Sequence, residues 1–316
     1  MPFQSAPCLL MAMDGRMSMV TKLCEESFRV FFVVGTLLGV IAVSLWPLYY
    51  AGWIAFYPGR AHARLMIEGF MAPFIIGFLG TAGPRITSTP HFSASEIFAL
   101  LTLTLLAAGL HFGGAARAGD VTFVILMLMV AFALGKRFRA REDWPPPNFA
   151  LVALGILNAL IGATFLAAFE NAAYSVPYRV GAMLLEQEFI LFSDFGRSRR
   201  SCCRGSSMCR AATNFREGRA MPAGSLPRAT FAAAIGLTID STFILEAWGL
   251  TSFAAWLRVG LVMILAGFIA EALLPLVRVS ARRFRDSGVF AIRIRWVGAP
   301  LPHHVASPHI GSFNGA

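Results

Sequence analysis

"AHARLMIEGFMAPFIIGFLG", Ala61 to Gly80, decides the architecture. An α-helix rises 1.5 Å per residue, so about 20 apolar residues cross the ~30 Å hydrocarbon core of a bilayer. Read as a span from His62 to Thr81, the stretch has the length and most of the apolar content that a crossing needs. It nevertheless opens with His62 and Arg64 and carries Glu68 one turn further in. An ionisable side chain inside a membrane is expensive to insert, and it persists where it faces protein, trapped water or a cofactor.

Working outward, seven further segments read as spans: Val30–Trp53, Phe92–Phe112, Gly119–Leu134, Phe149–Phe169, Val180–Phe192, Thr230–Trp248 and Phe253–Val277. Gly119–Leu134 and Val180–Phe192 are the short ones, and the latter contains Glu186 and Glu188, the pattern of a tilted or re-entrant piece. Of 316 residues, 57% are apolar and 14% charged, against about 25% charged in soluble domains. The fold class is therefore all-α: a polytopic transmembrane helix bundle of about eight spans, with the lipid bilayer as its partner.

A net charge of +10 suggests nucleic acid, but the basic residues sit between the apolar runs, as the positive-inside rule requires. With the N-terminus inside and strict alternation, 22 of the 27 Lys and Arg residues fall on the inner side; Arg60, Arg64, Arg117, Arg179 and Arg258 fall outside. That split sets the expected orientation, with the N-terminus cytoplasmic, and excludes nucleic-acid binding. No basic n-region or cleavage site marks a signal peptide, so the first span is expected to remain as an anchor.

Direction of travel then gathers the polar residues. His62 begins the second helix, Glu68 lies about 9 Å deeper by helical rise, His111 ends the third helix, and Glu246 ends the seventh. All four fall in the outer half. Met66 lies four residues from His62 on the same helix face. Imidazole with thioether suits haem or copper; alternatively His62 is interfacial and Met66 packs the core. Arg64 and Glu68 have the i,i+4 spacing of an ion pair, or Glu68 carries protons. Asp240 lies near mid-span without a basic residue within a turn, so it serves a function or a structural hydrogen bond. No P-loop, dinucleotide fingerprint or nucleophile–base pair indicates a reaction.

The organisation read from composition is 1–29, a cytoplasmic N-terminal segment; 30–192, an N-terminal bundle; 193–229, an Arg/Cys/Ser-rich loop; 230–277, two more helices; and 278–316, a basic tail with His303, His304 and His309. The loop, from "SDFGRSRRSCCRGSSMCR" onward, breaks the membrane-like pattern. It is either an ordinary basic loop or the trace of a reading-frame disturbance. The five cysteines, Cys8, Cys24, Cys202, Cys203 and Cys209, form no CxxC pair and no usual zinc spacing.

"SFRVFFVVGTLLGVIAV" followed by "HARLMIEGFMAPFIIGFLGTAGPRIT" resembles the NnrS family. The family's second helix runs roughly W-H-A-H-E-M-x-F-G-F and then G-F-L-L-T-A. His62, Ala63, Met66, Gly69, Phe70, Gly77, Phe78, Leu79, Thr81 and Ala82 match it; Arg64, Leu65 and Glu68 depart from it. "LLEQEFILF" at Leu184–Phe192 and "FILEAWG" at Phe243–Gly249 also look similar. The resemblance implies a bacterial inner-membrane protein with haem, and copper as a second metal, linked to nitric oxide and nitrosative stress. It singles out His62 as the metal ligand, with Met66 and His111 as further cofactor-binding candidates. Because family members have about a dozen spans, it also implies that this chain lacks the last ones. The competing expectation is a small-solute or proton-coupled transporter using Glu68, Asp240 and Glu246.

Overall fold

A computed structural model describes residues 26–172, 175–196 and 225–286. The chain divides into two compact units, Met1–Ile269 and Ala270–Ala316; the packed core and every residue of the candidate site belong to the first. The anomalous loop, all five cysteines and the tail histidines lie outside the described residues.

The described chain is helical, without strands. Helix α1 is Phe28–Tyr50, α2 Gly59–Thr87, α3 Ala94–Phe112, α4 Ala116–Arg139 and α5 Phe149–Ala168. Helix α6 covers 176–196, α7 is Ser225–Ala247, and α8 is Thr251–Asp286. Among the described residues, seven helices are long and apolar enough to cross a membrane, and α6 is the exception. The expected short span at Val180–Phe192 is thus a longer helix whose Arg179, Glu186 and Glu188 keep it below that mark. The other short span, Gly119–Leu134, is the middle of the 24-residue α4, extended at its C-terminal end by Lys136, Arg137 and Arg139.

Local chemistry sets the ends. Ser93 caps α3 reciprocally with Glu96: its Oγ accepts from the Glu96 amide at 3.2 Å, and Glu96 accepts from the Ser93 amide at 2.8 Å. Arg137 closes the same end of the bundle. It donates to the Pro90 and His91 carbonyls and to Glu96 at 2.7 Å, over the Phe92 ring.

Contacts show that neighbouring helices alternate in direction. Phe28 and Phe31 meet Gly77, and Phe70 covers Gly39, so α1 and α2 are antiparallel. His111 at the end of α3 covers Gly119 at the start of α4. On the far side, Gly162 of α5 meets Gly181 of α6, and Gly155 meets Phe189. Helix α7 then runs beside α5 in the same direction, with Gly236 against Leu151 and Leu154 and Asp240 against Asn158.

A continuous core of Phe31, Ile76, Leu100, Phe123, Leu126 and Phe189, with their neighbours, joins α1 to α6. The outward faces are apolar too: Val33, Leu37 and Val40 of α1 are each about 60% exposed, as a lipid-facing surface requires. Exposed Tyr50, Trp53 and Tyr57 gather near the α1–α2 turn, the position of an interfacial aromatic belt.

Two helices contain a widened turn. In α2 the π segment Leu65–Met71 has the Ala72 amide bonding to the Ile67 carbonyl, five residues back. It ends just before Pro73, which has no amide hydrogen and crowds the carbonyl four residues back. In α6 the π segment is Leu184–Glu188. No proline accompanies it, and we have no local cause for it.

Candidate functional site

The two widened turns carry Glu68, Glu186 and Glu188. Single π turns concentrate at functional sites, and here one lies beside a dense group of buried charge. Glu68 (α2), His111 (α3) and Asp120 (α4) are each no more than 2% exposed. His111 Nε2 donates to Glu68 Oε2 at 2.8 Å and lies 3.9 Å from Asp120 Oδ1. One ligand atom from each of the three residues can be chosen so that all lie within 4.8 Å of one another.

Arg64, 3% exposed, balances part of the charge. Its Nε donates to Asp120 Oδ1 at 2.9 Å, and a terminal nitrogen donates to Glu186 Oε1 at 3.2 Å. Glu68 is also within reach, but at 4.0 Å. The i,i+4 pairing read from spacing is thus the longest of the three contacts. The guanidinium serves mainly as a bridge from α2 to α4 and α6.

The packing is specific about His111. A Cβ on Gly119 would lie 2.5–2.7 Å from three atoms of the imidazole, so only glycine lets the ring lie there. Two atoms of the cluster lack a partner among the described residues: Glu68 Oε1 and His111 Nδ1. With the Nε2 hydrogen directed at Glu68, both unpartnered atoms present lone pairs. What both lack is a hydrogen-bond donor; Arg64 stands 4.0 Å from Glu68 Oε1 without bonding to it.

His62 and Met66 belong to another face of α2. His62 Nδ1 donates to the Ala42 carbonyl of α1 at 2.9 Å, and its ring meets Trp46 edge-on. That bond fixes the tautomer and leaves Nε2 with a free lone pair, the form that ligates metals. Met66 lines a groove of about 340 Å³ between α1 and α2, with Phe70, Thr36 and Gly39. The structure therefore brings Glu68, Arg64 and His111 together and places His62 and Met66 against α1. Glu246 pairs with Arg258 of α8 at 2.5 Å. Asp240 accepts from Asn158 Nδ2 at 2.8 Å.

Sequence reasoning missed Asp120 and Asn158. Asp120 had a signal: it is a lone acid immediately before the apolar run "VTFVILMLMV". Asn158, uncharged within an apolar helix, had a weaker one.

The family model described as NnrS protein matches residues 22–193. The chain belongs to the NnrS family. The matched region holds Arg64, Glu68, His111, Asp120, Glu186 and Glu188, so the whole Arg64-centred cluster lies within the NnrS match, whereas Asp240 and Glu246 lie beyond it. No curated protein matches this NnrS-family chain. No solved structure matches it either.

Proposed function

We propose that this NnrS-family chain is a haem-associated inner-membrane protein, with copper as a second metal, that serves the handling of nitric oxide and related nitrosative stress. The observation that carries the reading is the buried Glu68–His111–Asp120 group, whose ligand atoms lie within 4.8 Å of one another and which could hold an ion in place of the Nε2 hydrogen. One nitrogen and two carboxylates suit a borderline divalent ion, and Cu²⁺ heads the affinity order for such donors. Three carboxylates around the single Arg64 leave negative charge for a cation to balance.

For haem, the fit rests on His62, whose Nε2 is left free and whose ring is held by Ala42 and Trp46. When bound, haem iron supplies a coordination position for a diatomic gas, and copper a one-electron couple. The chain's own residues orient and insulate: Arg64 holds Asp120 in place, Gly119 admits the His111 ring, and the apolar core excludes water. The N-terminus faces the cytoplasm in this reading, which puts both candidate centres near the periplasmic side.

An optical spectrum with metal analysis of the purified chain tests the proposal. The expected result is a Soret band that is lost in His62→Ala, and a bound metal ion that is lost in His111→Ala with the Soret band retained. A colourless, metal-free protein of native helicity overturns it. A second reading, a proton-coupled transporter of small solutes, is favoured by the interrupted helical bonding at Leu65–Met71 and Leu184–Glu188, because broken helices mark solute sites in transporters. Solute uptake by vesicles containing a colourless protein supports that alternative.

A further inference from the structure

A second buried acidic group lies apart from the His111 cluster. Glu188 is 0% exposed, and neither carboxyl oxygen meets a hydrogen-bond donor among the described residues. Of the charged groups around it, the Asp240 carboxyl of α7 acts on it most strongly. Asp240 is oriented from the other side by the Asn158 amide at 2.8 Å, and Asn158 is itself 2% exposed.

Among the described residues no cation forms an ion pair with either acid. The charged group that acts on Glu188 from α8, without bonding to it, is Arg258. Its guanidinium is engaged elsewhere: with Glu246 at 2.5 Å, with Thr242 Oγ1 at 3.0 Å, and over the Phe243 ring at 3.5 Å. The surroundings are apolar, with Phe189, Phe192, Ile239 and Phe243 each no more than 1% exposed. Two carboxylates placed close together among buried apolar side chains repel each other when both are ionised, which favours sharing one proton. A carboxylic O–H on Glu188 directed at Asp240 gives the unpartnered side chain its bond. It leaves Asp240 as acceptor for both Glu188 and Asn158.

We propose that Glu188 and Asp240 form a proton-binding site, holding one exchangeable proton between α6 and α7 with Asn158 of α5 as its orienting donor. The same π turn carries a second carboxyl. Glu186, two residues earlier, has a side chain 36% exposed and bonds to Arg64. One short segment therefore carries one partly exposed carboxyl and one in the core. The site does not depend on a bound haem or metal.

Infrared spectroscopy of the full chain in lipid nanodiscs tests this. The protein is expected to show a protonated-carboxyl C=O band that shifts in D₂O and disappears on alkaline titration. Glu188→Gln and Asp240→Asn, each close in shape to the neutral acid, should both remove that band, while Glu68→Gln keeps it. Labelling all glutamates with ¹³C in the unaltered protein should shift the same band, a readout that needs no variant to fold. A spectrum without such a band overturns the proposal, as does a band that survives in both variants or ignores the glutamate label.

Discussion

Arg64 is the residue on which three helices converge, and its removal should show what the buried charge costs. In Arg64→Ala, Asp120 and Glu68 lose the only guanidinium that reaches them among the described residues, while Glu186 is partly exposed. Breaking a buried pair by removing one partner typically costs about 3–5 kcal/mol. The expected outcome is a lower thermal midpoint in detergent, partly restored at acidic pH, where the stranded carboxylates take up protons. An unchanged midpoint at neutral pH would contradict the charge-bridge role. Gly119 is the other decisive residue. Gly119→Ala should displace the His111 ring and weaken metal binding, measured by equilibrium dialysis, with helical content unchanged by circular dichroism. Both cases show how far a single residue can be read from sequence. His62, Arg64 and Glu68 stand out because they are charged or polar in an apolar helix. Gly119 does not, because its importance lies in a ring brought from another helix.

At the scale of elements, α5 and α6 approach each other backbone to backbone. A Cβ on Gly162 would lie 2.8 Å from the Gly181 carbonyl oxygen, and one on Gly181 would lie 2.9 Å from that of Gly162. The obstacles are backbone, which cannot swing aside, and small residues at such crossings let membrane helices touch. Gly162→Ala should therefore destabilise by roughly 1–3 kcal/mol, the usual cost of overpacking. Gly260→Ala, where nothing lies within 4 Å of the added carbon, is the matched control, and equal thermal midpoints for the two variants would refute the close-packing argument. Helix existence was legible from the apolar runs, and some ends were too, Phe149–Ala168 and the Phe112 end of α3 among them, while others were not. Helix α4 extends past Leu134 through a basic turn because long basic side chains can reach the interface from within a helix. The π turns were illegible: Leu184–Glu188 has no residue that demands one, and a widened turn re-aims every side chain after it relative to a regular 3.6-residue period. That is why His62 and Met66 could be placed on one face while the partners of Glu68 could not be foreseen.

For the whole molecule, alternation of direction is what assembles the site. The start of α2, the end of α3 and the start of α4 lie at one end, where Arg64, Glu68, His111 and Asp120 meet; Arg137 and Glu96 close the other. That the polar residues share one end was readable from span order alone, whereas their contacts needed the fold. The distribution of Lys and Arg adds a side to each end, and cysteine accessibility measures it. In a background with the five native cysteines replaced, Trp53→Cys and Ala115→Cys should react with a membrane-impermeant maleimide in intact cells. Arg139→Cys should react only after the membrane is opened. All three positions are exposed in the fold, so failure to label reports the membrane rather than burial. Joint labelling of 53 and 139 would mean that the helices do not cross in alternation, and the buried cluster would lose its geometric basis. The reverse pattern, with 139 alone labelled from outside, would keep the bundle but turn it over, placing the His111 group and the metal proposed for it on the cytoplasmic side.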